Sequence, residues 1–258
     1  MTMRYALISD IHANLPALEA VLADIAARGD ADAIYHLGDL VGYAPWPNEV
    51  VTLLASQNIP GVAGNYDSTV ATNYKHCGCR YEDRRQEELS HLSYDWTREH
   101  CSASTKRLLG ALPFRIDIRP VGGHVAGPVV TLLHGNQVLN TVYVTEDRSD
   151  EFLAKMAQGV GARDGDVVAF GHTHIPWHRV VDGVHFVNTG SVGRPKDGDC
   201  RAGYAFLTVA PPHIGIEFRR VGYDVERAVQ AIVESTLPDE FADFLRTGGK
   251  PASTVTTS

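Results

Sequence analysis

Five short apolar runs in this chain each end at once in residues that bind metals or carry protons, and that repeated ending constrains the fold more than any other feature. Tyr5–Ser9 runs into Asp10 and His12, and Ala33–Leu37 into Gly38 and Asp39. Ile59–Ala63 runs into Gly64, Asn65, Tyr66 and Asp67. Val129–Leu133 ends at His134, and Val167–Phe170 at Gly171, His172, Thr173 and His174. Short apolar runs bounded by turn residues read as buried strands. Between the first of them, Leu15–Ala27 places Leu18, Val21, Leu22 and Ile25 at helical spacing, with Pro16 near its start and Gly29 at its end. Pro47–Gln57 reads as a second helix. Strands alternating with helices argue for an α/β sheet of βαβ units, where ligands gather beyond the carboxyl ends of the strands. The five endings would deliver two Asp, one Asn and four His to one rim.

The rhythm breaks between about residues 73 and 110. There "YEDRRQEELSHLSYDWTREH" is charged, with Leu89, Leu92 and Trp96 at helical spacing. It reads as an inserted helical segment over one sheet edge, followed by a helix at Ser104–Leu112 stopped by Pro113. Strands then dominate: Phe114–Ile118, a hairpin around Asp182-Gly183, Tyr204–Val209 and Ile214–Arg219, with helices around Phe152–Met156 and Val225–Val233. We expect a single domain over residues 1–246 and a disordered, glycine-rich and polar tail over 247–258.

A formal net charge of −8 opposes stable nucleic-acid binding, which needs clustered cations. No apolar run approaches the roughly 20 residues that span a bilayer, and the amino terminus enters a strand without an apolar leader. The four cysteines, Cys77, Cys79, Cys101 and Cys200, show no disulfide framework. A reducing, cytoplasmic location is the expectation. Cys77 and Cys79, beside His76, are too closely spaced for a usual structural zinc site, so no third metal site is read there.

Carboxylate, amide oxygen and imidazole together suit Mn, Fe or Zn better than Ca, which prefers oxygen alone. Seven ligands exceed one tetrahedral ion and fit two ions sharing a carboxylate about 3.5–4 Å apart. On an extended chain, residues two apart face the same way. Asp10 with His12, and His172 with His174, would each aim both side chains at one site. The ordered set Asp-x-His, Gly-Asp, Gly-Asn-x-Asp, His and Gly-His-x-His resembles the calcineurin-like metallophosphoesterase superfamily over about residues 4–220. "GDLVGYAPWPNEVV" and "NTGSVGRPKDGDCRAGYAFL" are similar to its small bacterial and archaeal phosphodiesterase-like, or diadenosine-tetraphosphatase-like, branch.

The resemblance implies a four-layer αββα sandwich of two mixed β-sheets flanked by helices. It implies that Asp10, His12 and His174 hold a first metal, that Asn65, His134 and His172 hold a second, and that Asp39 bridges them. Asp67 matches an acidic position that orients a ligand imidazole, for which His12 is the expected partner. Where the superfamily often has His after the motif Asn, this chain has Tyr66, a phenol with an ordinary pKa near 10 and a poor proton donor at neutral pH. Asp39, Asn65, Tyr66 and Asp67 are the candidate catalytic residues. Tyr66, Asn188, Ser191 and Arg194 are the candidate substrate contacts. The expected activity is hydrolysis of phosphodiesters or phosphoanhydrides of a small molecule or nucleotide, by hydroxide generated on two divalent ions, Mn or Fe, with Zn as a further option. The alternatives are a phosphomonoesterase such as a Ser/Thr protein phosphatase, and a metal-binding regulatory protein with little turnover.

Overall fold

The computed structural model describes residues 2–80, 83–119 and 127–250. Its strands are β1 (Met3–Ile8), β2 (Ala33–His36), β3 (Ile116–Ile118), β4 (Val130–Leu132), β5 (Val167–Phe170), β6 (Trp177–Val181), β7 (Val184–Asn188), β8 (Ala202–Ala210) and β9 (His213–Val221). Its helices are α1 (Leu15–Arg28), α2 (Pro47–Ser56), α3 (Asn65–Ala71), α4 (Arg84–His100), α5 (Ala103–Gly110), α6 (Asp150–Val160), α7 (Val225–Glu234) and α8 (Glu240–Thr247).

The strands form two mixed sheets, in the orders β2-β1-β8-β9 and β3-β4-β5-β7-β6. In the first, β1 runs parallel to β2 and antiparallel to β8. In the second, β4, β5 and β7 are parallel while β3 and β6 are antiparallel at the edges. The period-two alternation of the apolar runs assigns each side chain to a layer. Tyr5 and Leu7 of β1 join Val130, Leu132, Val167, Ala169 and Val187 in a core between the sheets. Ala6 and Ile8 face the other way, onto Leu18, Val21 and Leu22 of α1 and Val50 and Leu54 of α2. Val168, Phe170 and Phe186 leave the second sheet outward, onto Leu153, Met156 and Val160 of α6. Helices, sheet, sheet and helix give four layers, with the parallel strands of both sheets ending toward the same rim.

Several elements depart from the sequence reading. Ile59–Ala63 makes only one parallel bridge, from Gly61 to His36, since Pro60 has no N–H with which to continue a ladder and Ala63 N–H turns to Pro113 O. Helix α3 begins on the motif residues themselves; the Asp67 carboxylate accepts the Gly64 N–H at 2.9 Å and caps it. The inserted helix α4 lies largely on other helices rather than over a sheet edge. Its Leu89 and Trp96 pack with Phe241 and Leu245 of α8, and Trp96 Nε1 donates to Thr236. The expected tail is ordered at its start: Thr247 closes α8, Gly248 O accepts the Gly198 N–H and Gly249 N–H donates to Phe244 O, while residues 251–258 lie outside the described residues. The expectation that the cysteines form no disulfide framework is corrected at one pair. Cys77 and Cys79 are joined by a disulfide, their sulfurs brought together around Gly78, whose φ of +72° allows the tight turn; Cys101 and Cys200 are free. Among the described residues no helix is long and apolar enough to cross a membrane.

Phe170 is fully buried and meets Trp177 edge-on at 5.3 Å. Phe170→Ala is therefore expected to cost about 3–5 kcal/mol of stability in urea denaturation. A loss under about 1 kcal/mol would contradict the layer assignment.

Candidate metal centre

The chain does not continue extended beyond the strand ends. Asp10, His12, Asp39, His172 and His174 all have left-handed backbones, with φ between +49° and +67°. This corrects the same-face argument from an extended stretch: these side chains converge because their backbones kink. Such conformations cost of order 1–3 kcal/mol each and persist only where their surroundings over-determine them. Here Asp10 N–H donates to Gly38 O, His12 N–H to Asp39 O and Ala13 N–H to Leu40 O, binding the first ligand loop to the second. From the other side Val192 and Gly193 donate to Ser9 O and Asp10 O. A Cβ on Gly193 would lie 1.7 Å from Ile11 O, so only glycine permits that approach.

Asn188 and Ser191, read from sequence as substrate contacts, belong to this scaffold. Asn188 Nδ2 donates to Gly171 O at 2.7 Å and Thr173 Oγ1 at 2.9 Å, and its Oδ1 accepts the Gly190 N–H. Ser191 Oγ donates to Asp10 O at 2.7 Å and accepts the Arg194 N–H. Both side chains are buried and committed to holding the ligand loops.

Two groups of ligating atoms result, Asp10 with His12 and His174, and Asp39 with His134 and His172. In the first, His12 Nε2 lies 3.0 Å from His174 Nε2, and His174 Nε2 lies 3.3 Å from Asp10 Oδ1. In the second, His134 Nε2 lies 3.2 Å from His172 Nδ1, 3.1 Å from Asn65 Oδ1 and 3.4 Å from Asp39 Oδ2. Asp39 Oδ2 also lies 3.8 Å from His12 Nε2, so one oxygen faces both groups. Its other oxygen accepts the Tyr66 N–H at 2.9 Å.

Backbone carbonyls fix the imidazoles. Nδ1 of His12 donates to Val41 O, of His134 to Leu37 O, and of His174 to Arg194 O, at 3.1, 2.7 and 2.6 Å. With the proton on Nδ1, Nε2 of His12 and Nε2 of His174 present lone pairs to each other, an arrangement that calls for a cation. Asp10 Oδ1 and His172 Nε2 are buried with no hydrogen-bond partner. Asn65 donates Nδ2 to Cys77 O, which turns its Oδ1 inward. The donor set therefore fits two divalent ions. Asp67 is not the partner of His12; its carboxylate accepts the N–H groups of Leu40 and Gly64, while burial and the neighbouring Asp39 push its pKa up to about 7. The sequence carries no signal for the orienting carbonyls, because every residue has one.

Tyr66 is 1% exposed, its ring edge-on to His12 at 5.7 Å and to Tyr94 of α4 at 5.8 Å. Burial and Tyr43 raise its pKa well above 10. Burial and His174 lower His12 to about 3, and burial holds His172 and His174 well below the ordinary range. His134 goes the other way: against the effect of burial, the Asp39 carboxylate pushes it up to about 9. A ligating imidazole must be neutral. Loading the metal-free protein at pH 8 is thus expected to release about one proton per chain from His134, a release that fades as the pH rises past its pKa. Calorimetry in buffers of different ionisation enthalpy measures this, and no release at pH 8 would contradict it.

The chain matches the model of the calcineurin-like phosphoesterase superfamily domain over residues 3–211. It is 30% identical to an uncharacterized protein of Methanocaldococcus jannaschii, over 94% of this chain and 97% of that one. It is similar to the crystal structure of a metallophosphoesterase from Sphaerobacter thermophilus, with a TM-score of 0.72 and 29% identity over 96% of this chain and all of the other. A hypothetical protein of Pyrococcus horikoshii shares the fold, with a TM-score of 0.79 and 22% identity over 97% of this chain and all of that one. The family is divalent-metal dependent, in keeping with the two ligand groups. With its matched segment running from β1 to the end of β8, the chain belongs to the calcineurin-like phosphoesterase superfamily and is a phosphoesterase.

Proposed function

We propose that this phosphoesterase works with a dinuclear metal centre and favours phosphodiesters or phosphoanhydrides over alkyl phosphomonoesters. The observation that carries the reading is Asp39, whose Oδ2 faces both ligand groups as a bridging carboxylate must. Two divalent ions there would supply Lewis-acid polarisation of the phosphoryl oxygens and a lowered water pKa. Four imidazoles, two carboxylates and one amide oxygen suit Mn or Fe, with Zn as an alternative. Asp10, His12 and His174 serve one ion, and Asn65, His134 and His172 the other. Arg194, on the Asp10 side through its carbonyl bond to His174, offers guanidinium donors to a phosphoryl oxygen.

Tyr66 supports the substrate preference. A buried phenol whose pKa stands well above 10 is a much weaker general acid toward a departing alkoxide than an imidazolium would be. Leaving groups that depart without a proton, such as a nitrophenolate or a phosphate, lose least. The substrate is read as a phosphorylated small molecule or nucleotide in the cytoplasm, with the formal charge of −8 opposing retention of long polyanions.

Elemental analysis of reconstituted protein is expected to give two ions per chain. Asp39→Ala should lose both, since two cations would face each other with less negative charge between them, whereas His174→Ala should lose chiefly the ion of the Asp10 group. Two ions retained at near-native affinity in Asp39→Ala would remove the bridge from this account.

The metal-loaded protein should hydrolyse aryl diesters or phosphoanhydrides with kcat/KM about 10²–10⁴-fold above alkyl monoesters, the range in which a general acid contributes. Equal kcat/KM on the two classes would overturn the preference.

A further inference from the structure

Among the described residues Arg194 is a cation without an anion: no carboxylate pairs with it, and its buried Nε finds no hydrogen-bond acceptor. Its guanidinium instead lies between two aromatic faces, 3.9 Å from the Tyr43 ring centre and 3.7 Å from that of Phe244. Aromatic faces attract a cation electrostatically without using its N–H groups. A guanidinium covered on both faces keeps its donors directed outward in its own plane. The clamp stands beside the metal ligands: the Tyr43 ring meets the His12 ring at 5.0 Å, and the Arg194 carbonyl accepts the His174 Nδ1–H at 2.6 Å.

Phe244 comes from α8, beyond the segment matched to the family. It is set firmly in place. Gly249 N–H donates to Phe244 O, and a Cβ on Gly249 would lie 2.6 Å from the Phe244 ring and 2.9 Å from Pro195 O. Gly198 N–H donates to Gly248 O, tying the loop that follows Arg194 to the end of α8. Phe241, one turn earlier, meets Tyr43 edge-on at 5.3 Å. The end of α8 and the Arg194 loop are thus packed as one unit against the metal ligands.

We propose that Phe244, with Tyr43, is a positioning residue that holds Arg194 ready for a phosphoryl oxygen of the substrate, so that the carboxy-terminal helix is part of the substrate site. The proposal rests on the phosphoesterase reading of the site. A free arginine side chain loses considerable rotamer freedom when it binds an anion; the two rings fix it beforehand, and binding is tighter to the extent that this ordering is already done.

The test uses the full chain with both metals loaded and metal content checked in every variant. Inorganic phosphate is the binding probe and bis-p-nitrophenyl phosphate the substrate. Phe244→Ala is expected to raise the phosphate Kd and the substrate KM by about tenfold, the size of a partly desolvated cation–π contact, with the loss falling on KM rather than kcat. Phe244→Tyr should restore both to within about twofold. Arg194→Met should raise phosphate Kd at least as much, and adding Phe244→Ala to it should change little further, because the ring acts through the guanidinium. An equal, additive effect of Phe244→Ala in the Arg194→Met background overturns the proposal, as does an unchanged Kd in Phe244→Ala. A native protein that binds phosphate but hydrolyses no phosphate ester would overturn the proposed function instead, and the phosphate arm would still decide the role of Phe244.

Discussion

Lone pairs that face one another inside a protein repel, and the structure is organised around a place where they are made to converge. Nε2 of His12 and of His174 stand 3.0 Å apart, each with its ring proton already given to a backbone carbonyl. Asp39 adds a carboxylate oxygen toward both ligand groups. Nothing in the apolar layers would gather these atoms unaided. The gathering is enforced by loops with left-handed residues at five ligand positions, and those loops are held by hydrogen bonds to the carbonyls of Gly38 and Asp39 and from the side chains of Asn188 and Ser191. Strand, loop and clamp therefore form one dependency: the inter-sheet core sets the strand ends, the strand ends set the loops, and the loops set the charges.

The imidazoles respond to this crowding in opposite ways. Three are held neutral by burial and by neighbouring imidazoles and cations, while His134 beside Asp39 is driven toward its charged form. A group of histidines with such divided protonation is a poor hydrogen-bonded cluster and a good cation site, because divalent charge satisfies neutral nitrogens and carboxylates together. The aromatic surroundings follow the same logic at longer range. Tyr43, Tyr66 and Tyr143 place rings near His12 and His172, lowering the local polarity and strengthening whatever charge interactions remain.

Much of this could be read from residue order. Apolar runs that stop at Asp10, Asp39, His134 and His172 announce both the strands and the rim they share, since burial and period-two alternation are local properties of sequence. What could not be read is non-local or generic. The positive φ values of Asp10 and His174 depend on neighbours elsewhere in the chain. The carbonyls of Val41, Leu37 and Arg194 that orient the imidazoles carry no residue-type signature. Asn188 and Ser191 looked like substrate contacts because polar side chains in a Gly-rich loop suggest a ligand; the structure turns them inward onto the loop's own scaffold. Helix α8 buries Phe241, Ala242 and Leu245 on one face, yet eight residues are too few for apolar spacing to announce a helix, and the sequence reading assigned no element there.

The place of β8 bears on how the polypeptide is made. One edge of β1 is filled by β2 soon after it in the chain, but the other is filled by β8, with Leu7 opposite Ala205. During synthesis the amino-terminal strand leaves the ribosome long before that partner exists. Until then it presents an unpaired row of N–H and C=O groups flanked by Tyr5 and Leu7, an edge apt to pair with another nascent chain. A strand made about 200 residues later thus closes β1, and a ribosome that stalls before β8 leaves β1 with one edge open.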